Sequence, residues 1–189
     1  MEVSGDPDLV GWHKESLAKL IQHIVRKHHK VVRDEMPRLE TLAGKVVARH
    51  GAQDPALAEV RDCIAKMNEE MTSHMLKEEQ VLFPYIAKME HELAAGRELP
   101  SAFFGSVRNP IVSMLADHDS AGELLKRTRL LTRDYTLPEG ACPTFRALFS
   151  TMQEFEQDMH RHVHLENNIL FPRALAMEQA TAAALSSHD

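Results

Sequence analysis

Residues 74–90 read HMLKEEQVLFPYIAKME, and residues 162–178 read HVHLENNILFPRALAME. The second stretch repeats the first at an offset of 88 residues without a gap, and it keeps the histidine, the glutamate, the Leu-Phe-Pro triplet and the Met-Glu pair. A histidine and a glutamate four residues apart lie on the same side of an α-helix. Each copy therefore directs one imidazole and one carboxylate to the same place. Two such helices facing each other would supply the ligands of a two-metal site inside a helical bundle.

The rest of the sequence predicts an all-α protein, because apolar residues recur at spacings of three and four between glycines and prolines. We predict four helices, from about Glu15 to Arg49, from Asp54-Pro55 to about Leu93, from Asn109-Pro110 to about Thr132, and from about Pro143 to Ala176 or beyond. Pro37 is expected to kink the first helix. The loop lengths favour an antiparallel up-down four-helix bundle. The 189 residues suit one domain, with residues 1–14 as a loose lead-in and residues 179–189 as a fraying tail.

Composition argues against several classes of partner. The net charge is -6, from 28 acidic and 22 basic residues, and no basic patch suggests a nucleic-acid partner. No apolar run of about eighteen residues predicts a membrane span, and the first twenty residues lack the core of a signal peptide. Only two cysteines occur, Cys63 and Cys142. They fit a reducing cytoplasm, and we expect both to be structural rather than reactive.

The other two helices should supply further histidines to the site. His118 lies 44 residues before His162, so its counterpart should lie about 44 residues before His74. His29 and His28 lie 45 and 46 residues before His74, and each shares an apolar helical stripe. Periodicity barely separates them, and we prefer His29.

His50 is a further histidine on the first predicted helix. At the rise of an α-helix it would lie roughly 31 Å from His29, too far for both to reach one site on a continuous helix. We therefore expect His50 to interact with the C-terminal end of its helix.

The predicted metal site contains six residues: His29, His74, Glu78, His118, His162 and Glu166. Four imidazoles and two carboxylates suit iron, manganese or zinc better than calcium or magnesium. If the carboxylates bridge, each metal receives two histidines and two carboxylate oxygens and stays open to a small ligand. Coordinated imidazoles usually donate their other N–H to a nearby acceptor. The acidic candidates for that role are Glu70, Asp117, Asp119 and Glu123.

At these residues the chain resembles the hemerythrin-like family and, within it, the iron-sulfur cluster repair di-iron proteins. The matching segments are residues 23–29, 36–37, 73–84, 117–125 and 162–176, and the resemblance covers about residues 12–178. It implies a non-haem di-iron centre with Glu78 and Glu166 as bridges, and it selects His29 over His28. Oxygen-carrying hemerythrins use five histidines, so a set of four argues against a dedicated oxygen carrier.

The resemblance implies a cytoplasmic protein of the nitrosative and oxidative stress response. It would support repair of damaged iron-sulfur clusters, through labile iron or through chemistry with NO or O2. The alternatives are an O2 or NO sensor or carrier without turnover, a di-iron NO reductase or peroxidase, and a metal-free bundle. The ligand set does not decide whether the protein is an enzyme.

Repair proteins of this type commonly carry an N-terminal domain with adjacent cysteines. About eleven residues precede the match here, and the sequence has no Cys-Cys pair. These 189 residues therefore do not supply a thiol pair for a step such as handing over iron. Besides O2 and NO, the expected partners are iron-sulfur cluster proteins.

Overall fold

The computed structural model describes residue 9 and residues 11–186, with side chains through Thr181. Helices account for nearly all of the secondary structure in this part of the chain, and no strand occurs in it, which confirms the all-α prediction. Three single π-helical turns, π1 to π3, interrupt the longer helices without ending them. The elements in chain order are α1 Leu17–Ile24, π1 Val25–His29, α2 Lys30–His50, α3 Ala56–Lys77, π2 Glu78–Leu82, α4 Phe83–Ala94, α5 Arg108–Leu131, α6 Pro143–Leu165, π3 Glu166–Leu170 and α7 Phe171–Ser186.

Four long rods result, over residues 17–50, 56–94, 108–131 and 143–186. Helix α2 packs against α3 and α6, α3 packs against α5, and α4 packs against both α1 and α7. The short turn over residues 51–55 connects α2 to α3 and makes these two neighbouring helices antiparallel. These contacts give the four-helix bundle that the sequence predicted. Within the described residues, no helix combines the length and apolarity needed to cross a bilayer.

The ends of the rods agree with the sequence prediction to within a few residues, except in their capping. Helix α5 starts at Arg108, so Asn109 is not its N-cap; its side chain donates to the carbonyl oxygen of Phe104 at 2.8 Å. The Glu178 carboxylate accepts instead from the Val107 backbone N–H at 2.8 Å. In the other half of the molecule, the Glu90 carboxylate accepts from the backbone N–H groups of Leu17 and Ala18 at 2.7 and 2.9 Å. The repeated Met-Glu pair thus places one capping glutamate at the start of each half, where a negative charge stabilises a helix.

The three π turns were not predicted. A π turn contains one more residue than an α turn, so the buried stripe moves by one position when it passes through. Up to π1 the buried stripe includes Leu20, Ile24 and His28. After the register change it continues with His29, Val32 and Met36. Around π2 and π3 the adjacent buried pairs are Leu82-Phe83 and Leu170-Phe171. The repeated Leu-Phe-Pro triplet therefore marks a change of helical register.

Two separate apolar cores fill the bundle. The first lies among α2, α3, α5 and α6 and is built around Met36, Met67 and Phe155. The second lies among α1, α4, the first turns of α5, π3 and the start of α7, and it is built around Ile24, Phe83 and Phe171. Buried histidines and glutamates occupy the region where π1, π2 and π3 pass between these cores. The fold therefore places a polar layer between two apolar ones.

A left-handed turn follows helix α5. Arg133, Asp134 and Tyr135 all have positive φ, at 50°, 58° and 57°. The Tyr135 hydroxyl donates to Glu156 Oε2 at 2.8 Å, and the Arg129 guanidinium donates to Glu156 Oε1 at 2.7 Å. These bonds hold a conformation that costs non-glycine residues energy.

Candidate metal centre

The six predicted residues converge in the polar layer. His29 comes from the end of π1, and His74 and Glu78 come from the junction of α3 and π2. His118 lies in the middle of α5, and His162 and Glu166 lie at the junction of α6 and π3. All six side chains are buried, and only His118 keeps measurable exposure, at 5%. Four rods therefore direct their ligand-type side chains into one water-poor region.

The six side chains form two groups of four. The first group contains His29, Glu78, His162 and Glu166, and the second contains His74, Glu78, His118 and Glu166. Within each group one nitrogen or oxygen from every residue lies within 4.8 Å of the others. Each group could surround one cation with two imidazoles and two carboxylates.

The two glutamates belong to both groups. Glu166 Oε1 lies 2.9 Å from His162 Nε2, and its Oε2 lies 3.0 Å from His118 Nε2. Glu78 Oε2 lies 3.2 Å from His29 Nε2 and 3.3 Å from His74 Nε2. Each carboxylate therefore touches one histidine from each group, as a bridge between two cations would.

The unsatisfied polar atoms fit a bound cation. Both oxygens of Glu78, Oε2 of Glu166 and Nε2 of His29 are buried without a hydrogen-bond partner. Buried polar atoms nearly always have such partners in folded proteins, so a cluster of exceptions needs an explanation. Metal ions held by these atoms would satisfy them, and the mixed nitrogen and oxygen set suits iron, manganese or zinc.

Three of the four histidines have an acceptor at the ring nitrogen that faces away from the centre. His29 Nδ1 lies 2.5 Å from Glu79, His74 Nδ1 lies 3.2 Å from Asp117 and His118 Nδ1 lies 2.9 Å from the Asn167 side-chain oxygen. Such partners fix the tautomer and orientation of a ligating imidazole.

Of the four acids that the sequence suggested for this role, Asp117 alone contacts one of these histidines. Glu70 accepts from the Ser120 hydroxyl at 2.8 Å, Glu123 pairs with Lys126, and Asp119 is exposed. Glu79 and Asn167, the acceptors for His29 and His118, were not predicted from the sequence. Each directly follows a glutamate of the repeated motif, and this shared position was the available signal.

Electrostatics tie the histidines to the glutamates. Burial alone would lower the pKa values of His29 and His74, but the carboxylate of Glu78, 3.2 and 3.3 Å from the two rings, together with the charge of Glu166, outweighs it. The pKa of His29 is raised, and that of His74 is raised to about 9. Burial would raise the pKa of Glu166, yet His162 and His118 hold it well below its usual range. In the metal-free protein these shifts favour the imidazolium forms of His29 and His74 and the carboxylate form of Glu166, and a bound cation would displace the protons of the two rings.

The structure distinguishes His28 from His29, whereas the apolar periodicity of the sequence favoured the two almost equally. Both are fully buried because the register change in π1 falls between them. His29 faces Glu78, whereas His28 Nδ1 lies 3.0 Å from both carboxylate oxygens of Asp158.

His50 is the last residue of α2, and its side chain lies away from the centre. Its Nε2 lies 3.4 Å from the sulfur of Cys142, and its ring packs against Phe145. The hydrogen bond with His50, followed by the Phe145 backbone N–H, lowers the pKa of Cys142 to about 7. Burial instead raises the pKa of Cys63. The expectation that both thiols are inert therefore suits Cys63 better than Cys142.

A helical bundle with a buried histidine and glutamate cluster belongs to the class of metal-cation-binding bundles. The family profile described as the hemerythrin HHE cation binding domain matches residues 20–174. The chain belongs to this family.

Among known proteins, the chain is similar to the iron-sulfur cluster repair proteins YtfE of Yersinia pseudotuberculosis serotype IB (strain PB1/+) and Yersinia pestis (strain Pestoides F). Each is 39% identical over 167 residues, which cover 88% of this chain and 70% of the relative.

Proposed function

We propose that the chain holds two iron ions, one in each group of four side chains, with Glu78 and Glu166 as bridges. Glu166 carries this proposal, because its two oxygens contact histidines of different groups at 2.9 and 3.0 Å. The resident ligands would be His29, His74, Glu78, His118, His162 and Glu166.

The function that this site supports best is the repair of damaged iron-sulfur clusters. The relatives carry that name, and their likeness extends over most of this chain. Bound iron would supply exchangeable ferrous ions and open coordination positions for NO or O2. The protein's own residues would hold the ions apart from bulk water, between the two apolar cores. The partners would be iron-sulfur cluster proteins, and the free cysteines fit the cytoplasm as the place of action.

The test uses protein purified without oxygen, with its metal content measured first. Iron-loaded protein is then mixed with a cluster protein whose [4Fe-4S] cluster has been destroyed by NO, in the presence of added sulfide and a thiol reductant. Cluster recovery is followed by electron paramagnetic resonance of the dithionite-reduced samples. Recovery should require the iron-loaded protein and should fail with Glu166→Ala. His160→Ala is the matched control, because His160 lies two residues from His162 but is exposed.

Other outcomes select other functions. Reversible O2 or NO binding without recovery of clusters would indicate a sensor or carrier. Steady consumption of NO or peroxide would indicate an enzyme. Zinc or manganese in place of iron would overturn the di-iron proposal itself.

A further inference from the structure

The two halves of the centre correspond position by position. His29, His74, Glu78 and Glu79 match His118, His162, Glu166 and Asn167 at offsets of 88 or 89 residues. Asp117, directly before His118, likewise matches His28, directly before His29. The halves therefore differ in chemistry at two positions beside the centre, Glu79 against Asn167 and His28 against Asp117, and only the second pair exchanges an acceptor for an imidazole.

The difference falls on one histidine of each group. Asp117 lies 3.2 Å from His74 Nδ1 and provides a carboxylate acceptor. In the other half, the His28 ring lies beside His162, with ring centroids 5.7 Å apart and planes within 7° of parallel. Nδ1 of His162 is buried and has no hydrogen-bond partner among the described residues. His162 is therefore held by ring packing where its counterpart is held by a hydrogen bond.

Asp158 fixes the orientation of His28. Its two carboxylate oxygens lie 3.0 Å from His28 Nδ1, and the His28 side chain is fully buried. Side-chain contacts therefore run from Asp158 through His28 to His162, which belongs to the first group.

We propose that His28, oriented by Asp158, is the positioning residue of His162, and that the metal held by His29 and His162 is the more labile of the two. This inference rests on the proposed di-iron function and names the ion that leaves first.

The physical reason is the unequal number of acceptors. An acceptor at the outer ring nitrogen raises the basicity of a ligating imidazole, and its loss typically costs 10–100-fold in metal affinity. The second group has two, Asp117 on His74 and Asn167 on His118. The first group has only Glu79 on His29. A metal-bound His162 would also bury an N–H without an acceptor, which weakens its binding further.

The experiment measures iron release from the diferrous protein to a coloured ferrous chelator under anaerobic stopped flow. The wild-type protein should release its iron in two phases of equal amplitude. Mössbauer spectra of 57Fe-loaded protein, taken after the fast phase, should show that one of the two iron signals has gone. This signature depends on the identity of the site and not on general stability.

Single variants assign the two phases. His28→Ala should accelerate only the fast phase, by about 10-fold, the low end of the range for hydrogen-bonded partners of metal ligands, because His28 acts by ring packing. Asn167→Ala is the matched control and should accelerate only the slow phase.

Asp158→Asn keeps an oxygen that can accept from His28, so it should stay near the wild-type rates. His28→Asp combined with Asp158→Asn copies the Asp117 arrangement and should slow the fast phase.

A His28→Ala protein that fails to fold, judged by circular dichroism, leaves the assignment testable. Glu79→Ala, which removes the acceptor of His29, should then accelerate the fast phase, and Asn167→Ala the slow phase. One common rate in the wild-type protein, or acceleration of the fast phase by Asn167→Ala, would overturn the inference. Cluster recovery that continues with a single release rate would leave the repair function standing. Two clear phases without any recovery would remove the repair function alone.

Discussion

At the scale of single residues, Glu166 is one of the two carboxylates that connect the two groups of the centre. Its two oxygens lie 2.9 Å from His162 and 3.0 Å from His118. A terminal histidine serves one cation, whereas a bridging carboxylate serves two.

Glu166→Ala should therefore lose nearly all metal, whereas His118→Ala should keep roughly half, because one complete group of histidines remains. Metal analysis of the two anaerobically purified variants, alongside the wild-type protein, measures the difference. Full retention of both metals by Glu166→Ala would show that this carboxylate does not bridge.

A second prediction at this scale concerns the two thiols. Cys142 should react with iodoacetamide faster than Cys63 and reach half of its maximal rate near pH 7, since its pKa is lowered to about 7 by His50 and by backbone N–H groups. His50→Ala should move that midpoint upward. Mass spectrometry of each cysteine-containing peptide gives both rates from one sample, with Cys63 as the internal control. Equal rates at neutral pH would contradict the prediction.

At the scale of elements, the four rods could be predicted because apolar periodicity and proline or glycine boundaries survive in the sequence. Four of the six converging side chains could be predicted because the His-Glu spacing occurs twice. His118 followed from its place on the third helix, and the family resemblance, not periodicity, selected His29 over His28. The π turns could not, because a one-residue register change leaves two valid stripes, as with His28 and His29. Adjacent buried pairs such as Leu82-Phe83 are the trace that such a turn leaves.

The left-handed turn after α5 gives a prediction about stability. Arg133 is exposed and has a φ of 50°, a conformation that costs a residue with a Cβ about 1–2 kcal/mol. Arg133→Gly removes this cost but adds backbone freedom to the unfolded chain, so the expected net gain is about 0.5 kcal/mol. Urea denaturation measures it. Arg133→Ala keeps the Cβ and should show no gain, and an equal gain in both variants would exclude strain as the cause.

At the scale of the whole molecule, two apolar cores enclose a layer of ionisable side chains. Without metal, this layer must be stabilised by protons shared among histidines and glutamates. The stability of the whole bundle should then depend on pH.

The sign follows from His74, whose pKa is raised from 6.5 to about 9 in the folded chain. A group with a raised folded pKa contributes stability that is fully present below its unfolded pKa and is lost as the pH rises through its folded pKa. The metal-free protein should therefore lose stability, on the order of 2–3 kcal/mol, between about pH 6 and about pH 10. Urea denaturation across this range measures the loss, and His74→Gln should reduce it. A stability that rises over the same interval would show that the histidines are neutral in the folded protein.

Each group of four side chains draws on both halves of the chain, and this has a consequence for how such a molecule can arise. Each group takes His29 or His74, with Glu78, from the first copy and His118 or His162, with Glu166, from the second. One half alone offers two histidines and one glutamate, so it lacks the four donors of either group. An ancestor with a single copy could have assembled this centre only as a symmetric pair of chains. Within one chain the two halves need not be identical, and they differ beside the centre at Glu79 against Asn167 and at His28 against Asp117.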